Sequence, residues 1–555
     1  MDRQILLAVA LSALVVIAYQ EYLRIYYPNS GKPRTPPAAA TPLVPPLRPE
    51  AAKPEPETGA PGLPGTEGQP PLAADIVVDT PLVHAALSSV GGRLVSLQLT
   101  HYRTTIDPRS PPLELVSSVM GADAPLGVVL RGAAAWNDRR LSYRPSTTSL
   151  VLTEKQTGDI LLRGQLPDGG EIEKTLHFDA ASYAFGMELR VSDPAHRFNE
   201  AGLSWTHGVA ENTSRYFFQG PEALVGGKLL HFTDSQLSQG VIVPDPRSAT
   251  ESPPAVFWAG YADSYFLSAM VPRENDPVRL WVKLDQGQIF TELLVPLAAV
   301  SAEPYPFVVY VGPKDLHALS LVGHHLDRTV NLGWFGFVAE PMLRILKLFH
   351  RFTGNYGIDI ILLTVLVKLV TVPLTQKSYK SMQELQKLQP QMKKLQEKYA
   401  DDRTALNKEV MELYRRHNVN PLGGCLPMVF QMPIFIGLYN ALLSAVELRH
   451  ARFALWINDL SAPDRLPPIP HPPLAVVAGV DIRVPVLTLL MGVSMVIQQR
   501  MTPASADPTQ QRMMMIMPLV FTVMFINFPS GLALYWLVNN VLTIAQQMIL
   551  QRRAK

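Results

Sequence analysis

The sequence predicts a multi-domain protein: a polytopic α-helical membrane core, an N-terminal anchor helix and a large exported all-β sandwich domain. Three patterns in the 555 residues support this fold class. Apolar runs of membrane-helix character occur at the N-terminus and again after residue 330. Between about 75 and 330, apolar and polar residues alternate with the period-two spacing of half-buried strands. A proline-rich segment separates the first apolar run from the alternating region.

The first domain, residues 1–27, is predicted to be a signal-anchor transmembrane helix. The run from Ile5 to Tyr19 is apolar, which fits either a cleaved signal peptide or a short membrane helix. No small-residue cleavage pattern follows, and Tyr19 and Tyr22 are typical of a membrane interface, so we expect the helix to be retained. Residues 28–74 follow as a Pro/Ala-rich linker that cannot bury a core and is expected to be disordered.

Residues 75–330 are predicted to form the β-sandwich domain. Val95, Leu97 and Leu99 alternate with polar neighbours, and turn signals such as Gly91-Gly92 separate successive runs. The histidines of this region have no carboxylate or cysteine partners at metal-ligand spacing. The single cysteine of the chain, Cys425, excludes an intrachain disulfide and a CxxC site. We therefore expect no metal site and no cofactor.

Residues 331–353 are predicted to form an amphipathic helix at the membrane interface. Pro341 suits the first helical position, and Arg344, Lys347 and Arg351 recur on one face among apolar residues. A basic face preceded by tryptophan and phenylalanine favours a position in the bilayer interface. Packing of this helix against the β domain is the alternative.

The rest of the chain alternates apolar spans with polar loops. Its predicted segments are transmembrane helix 2 at 354–376, a cytoplasmic basic helical hairpin at 377–420, transmembrane helix 3 at 421–446, a periplasmic loop at 447–483, transmembrane helix 4 at 484–501, a cytoplasmic loop at 502–512, transmembrane helix 5 at 513–529, transmembrane helix 6 at 530–551 and a cytoplasmic tail at 552–555. The hairpin and the tail are rich in lysine and arginine. Because basic loops stay in the cytoplasm, both termini are predicted to be cytoplasmic and the β domain periplasmic.

Lys368 is the strongest functional candidate, because it lies in the middle of the apolar run from Ile358 to Leu374. A central lysine costs about 2.5–3.5 kcal/mol to insert into a bilayer, and such charges usually face a water-filled cavity. The alternative is a lysine whose flexible stem lets the ammonium reach the headgroups. The cytoplasmic end of the helix, near Gln376, is roughly 12 Å away from Lys368 along the helix, which is further than a lysine easily reaches.

The cytoplasmic hairpin combines an apolar seam with a basic surface. The pair Asp401-Asp402 is expected to offer an N-cap for its second helix. The basic side chains, among them Lys393, Lys394 and Lys398, could contact ribosomal RNA or anionic lipid. The alternative is a solvated charged face that only fixes topology.

Further polar residues in the apolar spans are candidates for the wall of a polar groove or for contacts between helices. They are Gln431, Ser494, Gln498, Asn539 and Asn540.

Two motifs resemble the YidC family of membrane protein insertases. They are the stretch from Asn420 to Tyr439, NPLGGCLPMVFQMPIFIGLY, and the stretch from Phe528 to Trp536, FPSGLALYW. The resemblance implies a five-helix insertase core in a bacterial inner membrane, in which a positive residue of the first core helix lines a hydrophilic groove. Lys368 matches that position, where the family commonly has arginine. It also implies substrate contact by Thr364, Tyr535 and Trp536.

The function implied by this resemblance is insertion and chaperoning of integral membrane proteins, without covalent chemistry and therefore without an enzymatic role. The implied partners are nascent membrane proteins, components of the Sec translocase, the ribosome and membrane lipids. A transporter or channel that uses Lys368 as an anion site is the alternative. An intramembrane protease is disfavoured, since no histidine in any span could activate Ser530.

Overall fold

The structure is a computed structural model. It describes residues 74–116, 123–133, 135–166, 169–208, 219–243, 254–274, 276–399, 402–417, 419, 426–466, 476–477, 480–481, 484–501 and 508–554. The predicted anchor helix, nearly all of the predicted linker and residues 420–425, which begin the first of the two motifs and include Cys425, lie outside these residues. The chain divides into two compact units. The β unit comprises residues 74–104, 111–313 and 317–329 of the described chain, and the helical unit comprises residues 105–110, 314–316 and 330–554.

The β unit contains twenty described strands in three sheets, which confirms the prediction of a β-rich domain. The strands are β1 Ile76–Asp79, β2 Val83–Ser88, β3 Arg93–Arg103, β4 Pro112–Val116, β5 Gly127–Gly132, β6 Trp136–Asn137, β7 Tyr143–Pro145, β8 Ser149–Val151, β9 Thr157–Gln165, β10 Glu171–Asp179, β11 Ala184–Ser192, β12 Phe198–Gly208, β13 Gly220–Val225, β14 Lys228–His231, β15 Val241–Val243, β16 Val256–Ala262, β17 Phe266–Val271, β18 Arg279–Asp285, β19 Gln288–Pro296 and β20 Tyr305–Pro313.

The sheets are built almost entirely from antiparallel pairs. Five strands follow the order β4-β3-β2-β1-β8, nine follow β14-β13-β16-β17-β20-β11-β10-β9-β7, and six follow β15-β18-β19-β12-β5-β6. Only the pair of β1 and β8 is parallel among the described strands. Alternate residues of the strands are buried, as in β10, where Ile172, Leu176 and Phe178 face the core. Short helices α1 Asp234–Gln239, α2 Leu297–Ala302 and α3 Leu316–Val322 complete this part of the chain.

A buried polar network ties the three sheets together around Asp138, which follows β6. Lys174 on β10 is fully buried, and its Nζ lies 2.6 Å from Asp138 Oδ2. Arg93 on β3 approaches Asp138 Oδ1 at 2.6 Å, and the hydroxyl of Tyr143 on β7 donates to Asp138 Oδ2 at 2.9 Å. Lys174 also donates to the backbone carbonyls of Gly91 at 2.7 Å and Leu126 at 2.8 Å. Each ionic group in the network therefore has several partners, which offsets the cost of burying it.

The helical unit contains seven described helices, and one of them is much longer than predicted. They are α4 Gly336–Thr353, α5 Tyr356–Lys398, α6 Arg403–Arg416, α7 Leu426–Ser444, α8 Val486–Met501, α9 Pro508–Phe525 and α10 Ser530–Ala554. A short hairpin of β21 Val476–Val477 and β22 Val480–Asp481 lies between α7 and α8 in the sequence. Helix α5 runs without interruption through Pro373 and Pro390, so predicted transmembrane helix 2 and the first arm of the hairpin are one helix.

Helix α5 is the one described helix that is both long and apolar enough to cross a membrane. Shorter apolar stretches occur at Val429–Ser444, Val486–Met501 and Met514–Phe525. The prediction that Pro341 begins its helix was wrong, because α4 begins at Gly336, one turn earlier. A proline inside a helix lacks the backbone N–H that would donate to the residue four positions earlier, so one helical hydrogen bond is lost. Here Ala339 and Met342, on either side of Pro341, are buried in the core and stabilise the helix despite that loss.

One hydrophobic core joins these helices. It includes buried residues of α4, α5, α7, α8, α9 and α10, among them Leu346, Leu363, Leu442, Met491, Phe525 and Leu532. Large apolar side chains on the outward faces remain exposed, such as Val370 on α5 and Leu519 on α9. A buried core combined with an exposed apolar surface is the pattern expected for helices surrounded by lipid.

Candidate functional site

Lys368 lies on α5 about 18 Å along the helix from its first residue, and it is half-buried. Its Nζ donates a hydrogen bond of 2.7 Å to Oγ1 of Thr543 on α10. The Thr543 hydroxyl in turn donates to the backbone carbonyl of Asn539 at 2.6 Å. The ammonium of Lys368 is therefore held against α10 by a neutral hydroxyl, and we call these two residues with Asn539 the Lys368 site.

Three further polar pairs connect the helices of this unit. Gln431 Nε2 on α7 donates to the Tyr535 hydroxyl on α10 at 2.5 Å. Asn540 Nδ2 on α10 donates to Ser494 Oγ on α8 at 2.9 Å. Gln546 Nε2 on α10 donates to Thr375 Oγ1 on α5 at 2.9 Å. Each pair satisfies polar atoms that would otherwise meet an apolar environment, so these contacts hold α10 against three neighbouring helices.

The predicted site residues thus fall into two groups. Tyr535 and Ser494 are buried in helix–helix contacts, and Thr364 is also buried, with its hydroxyl donating to the Ile360 carbonyl of its own helix at 2.6 Å. Lys368, Gln431, Gln498, Asn539 and Trp536 are half-buried and keep part of their surface accessible. The structure brings Lys368 next to α10, and among the described side chains Lys368 makes its hydrogen bond to Thr543 and not to Thr364 or Trp536.

An aromatic cluster lies two turns before Thr543 on α10. It consists of Phe435 and Tyr439 on α7, Phe521 and Phe525 on α9, Phe528 and Trp536. The Trp536 ring packs 5.1 Å from Phe435, 5.5 Å from Phe525 and 5.9 Å from Phe521. Phe528 joins Tyr439 to Phe525 at 5.3 and 4.9 Å. Rings at these distances fill the space between α7, α9 and α10 with apolar contacts and exclude water there.

The aromatic cluster and Thr543 were missed by sequence reasoning. One signal was present: Phe435 and Tyr439, and likewise Phe521 and Phe525, are spaced four residues apart, so each pair shares one face of its helix. Such a pair within an apolar run is common in any helical core, so the spacing alone could not assign it to this cluster. No local pattern points to Thr543, which is 175 residues from Lys368.

The basic hairpin forms from the second half of α5 and from α6. Lys393, Lys394 and Lys398 are exposed on α5, and the Lys398 ammonium lies 5.0 Å from the centre of the Tyr399 ring. Asp402 accepts hydrogen bonds from the backbone N–H groups of Thr404 and Ala405, which confirms the predicted cap of the second helix. The apolar seam is present as well, since Leu388 is buried and Tyr414 donates to Met392 Sδ at 3.2 Å.

Helix α4 has a buried apolar face and an exposed one. Met342, Leu343 and Leu346 join the core of the helical unit, whereas Trp334, just before the helix, and Phe352, near its end, are more than 80 % exposed. Lys347 is not a solvated basic residue, because it pairs with Asp315 at 2.7 Å and with Glu447. Burial lowers the pKa of Lys347, but the two carboxylates raise it by more, so its pKa lies above the ordinary value.

No metal site is found in the part of the chain that the structure describes. No group of three or more His, Cys, Asp or Glu side chains there is arranged to hold an ion. Ser530 is buried, and its hydroxyl donates to the backbone carbonyl of Asp459 at 2.7 Å. That bond gives Ser530 a structural partner at the start of α10.

A helical unit with a lysine in its longest apolar helix, polar pairs between its helices and an exposed apolar surface has the pattern of a membrane protein. Comparison with known families identifies it further. Residues 348–555 match the family model of the "60Kd inner membrane protein", and residues 75–345 match that of the "YidC periplasmic domain". The chain belongs to the YidC family of membrane protein insertases.

The relatives are similar over most or all of their lengths. The membrane protein insertase YidC of Syntrophobacter fumaroxidans is 36% identical over 587 residues, covering 100% of both chains. The YidC insertase of Geobacter sulfurreducens is 39% identical over 482 residues, covering 85% of each. A crystal structure of an active YidC insertase with its first transmembrane domain resolved covers 84% of this chain and 91% of its own, with 17% identity and a TM-score of 0.36. The family resemblance and the periplasmic β-rich domain predicted from the sequence are thereby confirmed.

Proposed function

We propose that this chain inserts integral membrane proteins into the bacterial inner membrane, and assists their folding, by means of a hydrophilic groove at the Lys368 site. The observation that carries the proposal is the position of Lys368: a cation deep in an apolar helix whose contact on α10 is a neutral hydroxyl. A cation without a carboxylate partner attracts water and acidic side chains into an otherwise apolar region. No bond is made or broken in this process, so the role is that of a non-enzymatic insertase.

The groove would lower the cost of moving a polar segment across the bilayer. A polar tail of the substrate would enter from the cytoplasm and exchange water for the hydrated surroundings of Lys368, while its apolar helix leaves sideways into lipid. Burial of that apolar helix in hydrocarbon supplies the favourable free energy. The aromatic cluster around Trp536 would close the opposite end of the groove to water, because its rings pack edge to face and side by side.

The roles that we propose for the remaining predicted site residues follow from how exposed their side chains are. Trp536, Gln498 and Asn539 are half-buried and would contact the substrate or the groove water. Thr364, Tyr535 and Ser494 are buried and would act by maintaining the positions of the helices, although the family resemblance suggests substrate contact for the first two. Gln431 is half-buried and bonded to Tyr535, so it would contribute to both roles.

The topology and the partners follow from the charge pattern. Six membrane helices, including the N-terminal anchor, would place both termini in the cytoplasm and the β unit in the periplasm. The exposed lysines of the hairpin would recruit the ribosome or a nascent chain, and the exposed aromatic residues of α4 would contact lipid. Cooperation with the Sec translocase is part of the same proposal and is carried by the family resemblance.

The proposal is tested by changing the charge of residue 368 in full-length protein reconstituted into vesicles. A substrate with an acidic translocated tail should be inserted by Lys368→Arg at close to the original rate, whereas Lys368→Glu should reduce insertion at least tenfold, because it repels the tail in a region of low dielectric constant. Lys228→Glu, at an exposed position on β14, is the control, since it makes the same charge change outside the helical unit. Equal activity of the arginine and glutamate variants would contradict the proposal. Solute flux through vesicles that fail to insert substrate would support a channel instead.

A further inference from the structure

Two of the hydrogen bonds between the helices that carry the Lys368 site have different kinds of partner. Lys368 bonds to Thr543, and Thr375, two turns further along α5, bonds to Gln546, one turn further along α10. Both threonine hydroxyls also donate to carbonyls of their own helices. The two contacts therefore have similar geometry, but only one of them includes a charged group.

The hydrogen bonds of Thr543 determine what it can do for the lysine. A threonine hydroxyl has one proton to donate and two lone pairs to accept with. The proton of Thr543 goes to the Asn539 carbonyl at 2.6 Å, so its lone pairs face the Lys368 ammonium, which has three protons to donate. A lysine side chain has four rotatable carbon–carbon bonds, so the position of its ammonium is not fixed by the side chain itself. One fixed acceptor beside α10 removes much of that freedom and leaves two ammonium protons for water or substrate.

We propose that Thr543 is a positioning residue for insertion: it fixes the place of the Lys368 charge in the groove, and thereby sets how strongly the protein favours substrates with acidic tails. The inference rests on the proposed function of Lys368. Without Thr543 the ammonium could swing along α5 towards the cytoplasmic end, where water and the hairpin charges lower its effect on a tail deep in the groove. The overall rate of insertion would change less than the preference for acidic tails, because the groove stays hydrated whichever conformation the Lys368 side chain adopts.

The test compares three threonine variants of the full-length protein in vesicles, at equal amounts of membrane-embedded protein. Two single-span substrates are used, which differ only in aspartate or asparagine residues in the translocated tail. The readout is the ratio of their insertion rates. Thr543→Val keeps the shape of the side chain and removes the acceptor, so the ratio should fall about fivefold, the effect of one typical hydrogen bond. Thr543→Ser restores a hydroxyl and should recover the ratio.

Thr375→Val is the matched control, because it removes the neighbouring bond between the same two helices without touching Lys368. It should leave the ratio unchanged. A fall in the ratio for Thr375→Val equal to that for Thr543→Val would show that loosening of the helix pair is responsible, and would overturn the positioning role.

Two other outcomes separate this inference from the proposed function. If Thr543→Val keeps the original ratio while Lys368→Met loses it, the lysine acts without Thr543, and only the positioning role is rejected. If Lys368→Met also keeps the ratio, the charge of Lys368 has no part in substrate choice, and both are rejected.

Discussion

Lys174 in the β unit and Lys368 in the helical unit are both withdrawn from solvent, and their surroundings differ in kind. Lys174 is fully buried against a carboxylate that also pairs with an arginine and a tyrosine, and the Lys174 ammonium donates to several backbone carbonyls. Lys368 is half-buried and, in the described part of the chain, bonds to a single hydroxyl. A buried lysine whose ammonium protons all have acceptors within the protein stabilises the fold. A lysine that keeps ammonium protons without a protein acceptor can attract water or an acidic substrate. Burial of a charge alone therefore does not distinguish structure from function, but the completeness of its partners does.

The largest effect is expected from breaking the complete network. Lys174→Met should destabilise the β unit by about 3–5 kcal/mol, because it leaves the buried Asp138 with one cationic partner in place of two. Hydrogen exchange of the β-strand amides in the full-length protein would measure the loss. Lys228→Met, at an exposed position on β14, is the control and should change exchange little. Unchanged protection in Lys174→Met would mean that the network is not what stabilises the sheets.

A second effect concerns pH. Burial lowers the pKa of Lys174 to about 8, although the Asp138 carboxylate beside it acts in the opposite direction. Above pH 8 the folded β unit releases this proton while the unfolded chain keeps it up to about pH 10.5, so the stability of the unit should rise with pH in that window, by at most about 1.4 kcal/mol per pH unit.

The lysine contribution is isolated by comparing hydrogen exchange of the original protein and Lys174→Met between pH 8 and pH 10, after correction for the intrinsic exchange rate. The difference in stability between the two proteins should increase with pH. Above about pH 10.5 the difference should level off, because the unfolded chain then releases the lysine proton as well. A difference that is flat with pH would show that Lys174 stays protonated in the folded state.

The exposed lysines of the hairpin form a third class, with solvent rather than protein around them. Reversal of Lys393, Lys394 and Lys398 to glutamate should weaken recruitment of ribosomes or nascent chains severalfold at low salt and much less at high salt, because exposed charges are screened within about 10 Å at 0.1 M. Co-sedimentation of ribosomes with vesicles across a salt series would measure this. Binding that is unchanged at every salt concentration would leave the basic surface with a topological role only.

The sequence predicted the elements better than their contacts. Lys368 stood out because an apolar run surrounds it, and Asp402 because a polar residue precedes a periodic pattern; both signals are local. Thr543 could not be found in this way, since its role depends on the register of two helices far apart in the chain. Lys174 had a signal that went unused: it shares the buried period-two positions of β10 with Ile172 and Leu176. Pro341 misled because proline is tolerated inside a helix that the core supports.

The continuity of α5 has a mechanical consequence. Lys368 and Lys398 belong to one helix and lie roughly 45 Å apart along its axis, so the helix can act as a lever with Lys368 towards one end and the tip of the hairpin at the other. A tilt of about 10° about Lys368 would displace the tip by about 8 Å, the width of a helix-packing contact. Pro373 and Pro390 each remove a backbone hydrogen bond between these points, so bending stiffness is lowest there. A force on the tip of the hairpin therefore moves Lys368 only as far as the helix does not bend at Pro373 and Pro390.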